Sequence, residues 1–213
     1  AEVVALREAQ RIAETTYLEA SESPRLEAWR LIASYHLSKA AEILATYSAQ
    51  GSVAGGFDVR EQLQAQFDRS LIACERAELV QLHATVRLLA ATAERMVANS
   101  IWTVTRGSGS RISRFVDGLV NRGRDRPGFE MLPPQRITLR DKGLLTTGSR
   151  AIVLSLPTSS GKTFIAQFRI LQALNQFDAD RGWIAYVAPT RALVNQICAR
   201  LRRDFAPLGI VVE

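Results

Sequence analysis

The chain has 213 residues, 47% of them hydrophobic and 23% charged, and its 27 Lys and Arg outnumber 21 Asp and Glu for a formal net charge of +6. That balance excludes a disordered, collagenous or disulfide-stapled chain, and the length suits one large domain or two small ones. No run approaches the roughly 18 apolar residues of a membrane span, and the opening AEVVALREAQ has neither a basic n-region nor an apolar h-region, so a cytoplasmic protein without a membrane partner is expected.

The first hundred residues are rich in Ala, Leu, Glu, Arg and Gln and contain a single proline, Pro24, so a helical N-terminal region over 1–105 is expected. Ser23 and Pro24 read as an N-cap with proline at the first helical position. From there Trp29, Ile32, His36, Ala40, Ile43 and Tyr47 recur at steps of three or four, the spacing of one buried helix face. Glycines at 51, 55 and 56 interrupt it with a loop. Asp58 followed by Glu61 resembles a capping box, and helical composition then continues to Asn99. An unbroken helix of about 40 residues would be ~60 Å long. The phase of Leu63, Phe67 and Cys74 differs from that of Leu79, Leu82, Val86, Leu89, Ala93 and Met96, which places a break near residues 75–78.

His36 and His83 have no evident carboxylate or metal-ligand companion and are read as structural. Cys74 and Cys198 are far apart, with no zinc-like spacing, and are read as reduced thiols.

Charge is divided unevenly. Residues 1–100 carry 10 basic and 13 acidic side chains, residues 101–142 carry 9 and 4, and residues 143–213 carry 8 and 4. The cationic second half suits a polyanionic partner or simple solubility. Residues 106–130 form an arginine-rich linker containing Arg106, Arg111, Arg114, Arg122, Arg124 and Arg126, and guanidinium forks of this kind can grip phosphates.

From residue 131 the pattern alternates. Gln135 to Leu145 reads as a short helix, 151–156 (AIVLSL) as a buried strand, Lys162 to Phe177 as a helix, 183–188 (WIAYVA) as a second strand, Arg191 to Phe205 as a helix and 210–212 as the start of a third strand. Strands alternating with helices predict an α/β fold with a parallel sheet. Between the first strand and its helix stands Pro157-Thr158-Ser159-Ser160-Gly161-Lys162-Thr163. A triphosphate needs converging backbone N–H groups, a helix N-terminus and a flexible cation, and this segment can supply all three. Lys162 suits the β- and γ-phosphates, Thr163 offers its hydroxyl to Mg²⁺, and Gly161 lets the backbone come close. The strict G-x-x-x-x-G-K-[ST] pattern is not met, because Leu156 stands at its first glycine.

The segment resembles motif I of the superfamily 2 DEAD/DEAH-type helicases. Ala188-Pro189-Thr190-Arg191-Ala192-Leu193-Val194-Asn195-Gln196 is similar to motif Ia of the same enzymes, and Leu132-Pro133-Pro134-Gln135 to the upstream element whose glutamine reads adenine, especially in the branch of archaeal repair helicases and exosome-associated RNA helicases. The resemblance covers residues 131–213. It implies a partial RecA-like P-loop parallel-sheet domain behind the all-α region. It further implies ATP and Mg²⁺ as cofactors, held by Gln135, Thr158, Ser159, Ser160, Gly161, Lys162 and Thr163, with Lys162 and Thr163 catalytic. DNA or RNA would be met by Thr190 and Arg191.

Such a motor also needs an Asp-Glu pair after a strand and arginine fingers from a second domain. The acids after Lys162 are Asp178, Asp180, Asp204 and Glu213, and none forms that pair. The chain is therefore expected to be the N-terminal piece of a longer helicase or translocase, truncated before that motif and inactive by itself. The helical region would dock a protein partner. A competing reading is a helical adaptor whose P-loop domain senses nucleotide without translocation; a P-loop kinase or switch is disfavoured, since motif Ia would then be accidental.

Overall fold

The computed structural model describes residues 2–56, 58–121, 128–146, 151–157, 159–177 and 182–213, with side chains from Glu8 onward. It divides into two compact units, Ala1–Val97 and Ala98–Glu213.

The first unit is built from α1 (Glu2–Glu19), α2 (Pro24–Gln50), α3 (Val59–Arg76) and most of α4 (Val80–Asn99). Ser23 and Pro24 open α2, and Gly51 closes it in the left-handed conformation at φ 69°, its N–H donating to the Tyr47 carbonyl. The buried stripe of α2 is centred on Ala33, Ala40 and Tyr47, and Ile32 is displaced to the exposed side. Small residues at 33 and 40 let α3 approach closely, and Ser70 Oγ, itself buried, donates across the interface to the Ala33 carbonyl at 2.8 Å. Asp58 caps α3 by accepting from the Arg60 N–H. The break expected near 75–78 lies between α3 and α4, where Glu78 takes φ 56° and the Leu79 N–H returns to the Cys74 carbonyl.

One assignment of side-chain company changes here. His36 Nδ1 lies 2.8 Å from Gln66 Oε1, and His83 Nε2 lies 3.4 Å from Glu75 Oε1, so His83 does have a carboxylate companion that no local pattern revealed. Burial pushes the Cys74 thiol above its usual range, which makes it a poor nucleophile.

The second unit holds α5 (Ile101–Val104), α6 (Ser110–Asn121), α7 (Pro133–Arg136) continued by one π-turn (Ile137–Asp141), α8 (Lys162–Gln176) and α9 (Arg191–Phe205). Within the arginine-rich segment, Ile112, Phe115, Val116 and Val120 share the buried face of α6. Phe115 is the centre of the core. Its ring meets Phe168 of α8 edge-on at 5.4 Å and Phe205 of α9 at 5.8 Å, and Phe168 in turn meets Phe164 at 5.1 Å. Arg111 closes the C-terminal end of α8 by donating to the Leu174 carbonyl and to Asn175 Oδ1, both at 3.2 Å.

The expected RecA-like parallel sheet is not found. Among the described residues there is no strand, and the unit is all-helical apart from one isolated antiparallel bridge between Ser100 and Glu130. Segments 151–157, 182–188 and 210–213 run without ladder partners, and Val153 (95% exposed), Trp183 (85%), Val187 (89%) and Val211 (83%) face outward. An apolar, β-branched run shows that a segment is suited to burial in a sheet. It carries no information on whether a neighbouring strand is there to bond it, and a strand exists only as part of a pair. The α/β expectation, built on three such runs, is therefore replaced by a helical architecture in which α6, α8 and α9 form the core.

Phe115→Ala should lower the unfolding free energy of the second unit by about 3–5 kcal/mol, because one ring fills the junction of three helices. Urea denaturation followed by circular dichroism measures it, and a loss under about 1 kcal/mol would mean the junction collapses to fill the gap.

Candidate nucleotide site

The turn between Pro157 and α8 is shaped by two departures from ordinary backbone. Ser159 adopts φ 64° and Gly161 φ 82°, both left-handed, on either side of Ser160. Ser160 is buried, and its Oγ donates to the Pro157 carbonyl at 2.7 Å, closing the loop on itself. A serine at positive φ is strained by roughly 1 kcal/mol, so the loop geometry is imposed by its surroundings and not by Ser159.

Gln135 supplies much of that imposition. It is only 7% exposed; its Oε1 accepts from the Leu132 N–H and its Nε2 donates to the Ser160 carbonyl, each at 3.0 Å. The prolines at 133 and 134 set α7 so that this side chain reaches 25 residues ahead along the chain. A Cβ added to Gly161 would lie 2.5 Å from Gln135 Nε2. Position 161 thus needs glycine twice over, for its φ and for the side chain that lies against it.

Beyond Gly161 the helix starts at once. The Gly161 carbonyl accepts from the Ile165 N–H, so the amides of Lys162, Thr163 and Phe164 precede the first intrahelical bond and remain available to an anion, backed by the dipole of a 15-residue helix. Lys162 is exposed with no described ion-pair partner, and Thr163 is half-buried beside it. Gln135, Ser159, Ser160, Gly161, Lys162 and Thr163 therefore do come together at one turn. Thr158 lies outside the described residues. The loop fits a nucleotide's phosphates on its own terms: positive φ at two positions, a glycine pressed by a neighbour, free first-turn amides and an unpaired ammonium.

Thr190 caps α9 by accepting from the Leu193 N–H at 3.3 Å, and Arg191 is exposed at the first position of the helix. Among the described residues no hydrogen bond or ion pair joins Thr190 or Arg191 to the 159–163 turn. Gln196 is likewise exposed. No group of three His, Cys, Asp or Glu among the described residues could hold a metal ion.

Sequence reasoning missed the support of the site. It treated Gln135 only as a reader of adenine and did not see that its amide holds the loop. It also missed Arg169, whose Nη1 donates to the Leu144 and Thr146 carbonyls at 3.2 and 3.3 Å, and Gln167, fully buried on α8 and bonded to Asp204 on α9. Long-range side-chain contacts of this kind leave no local spacing to detect.

Gly161→Ala should weaken the fold by about 1–3 kcal/mol through positive-φ strain and crowding of Gln135. In a Gln135→Ala background the crowding part disappears and the penalty should shrink; equal penalties in both backgrounds by thermal unfolding would show that Gln135 does not press on the turn.

Residues 140–213 match the family model of the DEAD/DEAH box helicases. An uncharacterized helicase of Caenorhabditis elegans is 40% identical over 67 residues, a stretch covering 30% of this chain and 4% of that protein, so the chain spans only a small part of the length of this relative. No solved structure matches the chain.

Proposed function

We propose that this chain, whose residues 140–213 match the DEAD/DEAH box helicase family model, is the ATP-binding part of a superfamily 2 helicase or translocase, acting in the cytoplasm on DNA or RNA. The observation that carries the reading is the turn at 159–163, where two left-handed residues aim the free amides of α8 outward beside an exposed Lys162. Lys162 binds the β- and γ-phosphates and Thr163 directs its hydroxyl to Mg²⁺, which when bound neutralises charge on the phosphoryl oxygens. The Ser159 and Gly161 amides line the phosphates, while the Ser160 N–H donates to the Pro157 carbonyl within the loop. Arg191 and the Thr190-capped end of α9 meet a phosphodiester backbone, where a guanidinium and first-turn amides suit one oxygen pair. The N-terminal helical unit docks a protein partner.

Gln135 has two tasks in this scheme. Without nucleotide its carboxamide holds Ser160; with nucleotide its accepting and donating ends suit adenine N6 and N7, which requires the amide to turn away from Ser160.

Lys162→Ala should weaken binding of a non-hydrolysable ATP analogue by at least about 100-fold, in line with the loss of a charge-assisted phosphate contact, while the melting temperature stays within about 2 °C. Fluorescence titration and thermal unfolding of the same preparation decide it, and unchanged affinity sinks the phosphate site. Gln135→Ala should lower the preference for ATP over GTP by about tenfold, the equivalent of ~1.4 kcal/mol. A variant that loses ATP and GTP binding equally would restrict Gln135 to holding the loop.

A further inference from the structure

Gln167 is the one fully buried polar side chain of α8, and half of its hydrogen-bonding capacity is unused. Its Nε2 donates to Asp204 Oδ2 at 2.8 Å, while its Oε1 is buried with no partner among the described residues. A methionine or leucine would fill the same space without an orphaned oxygen but would lose the bond to Asp204, so that bond is what the amide contributes here. Asp204 is correspondingly well held: Arg203 Nε donates to Oδ1 at 3.1 Å, and Arg200 Nε stands 3.6 Å from Oδ2. The carboxylate gathers one neutral donor from α8 and two cations from its own helix.

The position of this bond matters more than its strength. Gln167 lies five residues after Lys162, about 7.5 Å along α8 from the phosphate turn. Asp204 is in the last turn of α9, the helix whose first residue is Arg191. The residues next to them, Phe168 and Phe205, both pack on Phe115 of α6. Aromatic packing holds the two helices against a common third but tolerates rotation, because edge-to-face contacts have broad minima. A hydrogen bond is directional and fixes the rotation of α9 relative to α8.

We propose that the Gln167–Asp204 bond is a positioning link through which occupancy of the 159–163 turn sets the placement of α9, and so of Arg191; this rests on the nucleotide and nucleic-acid assignments above. A phosphate drawn onto the first amides of α8 shifts that helix along its axis. The link carries the shift to the base of α9, a rod of 15 residues that delivers it to the opposite end. By thermodynamic linkage, a strand held at Arg191 then favours nucleotide by the same factor that nucleotide favours the strand.

The test measures that factor in the whole protein as the ratio of affinities for a labelled single-stranded oligonucleotide, DNA and RNA in parallel, with and without a non-hydrolysable ATP analogue and Mg²⁺. In the unaltered protein the ratio should lie in the range of about 5–150. Gln167→Met and Asp204→Leu should bring it close to 1 while leaving each ligand's separate affinity within about twofold. Asp204→Asn should retain most of it, because the asparagine oxygen still accepts from Gln167 Nε2. A full ratio in Gln167→Met overturns the link, and so does a collapse in Asp204→Asn equal to that in Asp204→Leu, which would assign the effect to the arginine pairs. Hydrogen exchange of the unliganded protein supplies a readout that needs no ligand: the amides of residues 197–205 should exchange at least about fivefold faster in Gln167→Met, with α2 and α3 unchanged. Unaltered exchange at 197–205 overturns the link even if the unaltered protein binds neither ligand, whereas absent binding with the exchange difference present removes only the functional assignment on which it builds.

Discussion

Gln135 Nε2 and Gly161 compete for the same few cubic ångströms, and the candidate site depends on how that competition is resolved. The amide sits 3.0 Å from the Ser160 carbonyl, where a side chain at position 161 would otherwise stand. The bond draws the loop back against α7, and the two positive-φ residues are the conformational consequence. With the loop held in this way, the first amides of α8 precede its first intrahelical bond and stand open before any anion arrives. Preorganisation of this sort lowers the entropic cost of binding, since the donors are already ordered.

The rest of the second unit places that loop. Phe115 joins three helices, Arg111 closes the far end of α8, and Arg169 fastens the middle of α8 to the carbonyls of residues 144 and 146. The helix that opens at the candidate turn is therefore braced at several levels by groups outside that turn. Charge follows the same division of labour. The first hundred residues carry an excess of acids and rely on apolar packing between α2 and α3, whereas the basic excess lies in the segments that include the turn and α9. A cationic surface of this kind raises the local concentration of polyanions before any specific contact forms.

The helical parts of the molecule were readable because a helix is satisfied locally. The cap at Asp58, the proline at 24, the break before Val80, the start of α8 at Lys162 and the start of α9 at Arg191 under the Thr190 cap all follow from residues within one or two turns of where they act. Even there one position of the α2 face differs, Ala33 being buried where Ile32 was expected, because the close approach of α3 selected the small side chain. The turn itself was readable from Gly161, Lys162 and Thr163, since few sequences put glycine, lysine and threonine at the opening of a helix after an apolar run.

What the amino-acid order alone determined about this protein is thus the helices of the first unit with α8 and α9, the uneven distribution of charge and the candidate turn at 159–163, each encoded by neighbours in the chain. The tertiary structure decided what no local window contains. It left the three apolar runs unpaired where strands had been expected, because a ladder requires a second segment with matching free N–H and C=O groups. It gave His83 its Glu75, set the amide of Gln135 against Ser160, and joined Gln167 to Asp204 across 37 residues. Contacts between distant residues depend on how whole elements pack, and packing is a property of the complete set of side chains, not of any one spacing.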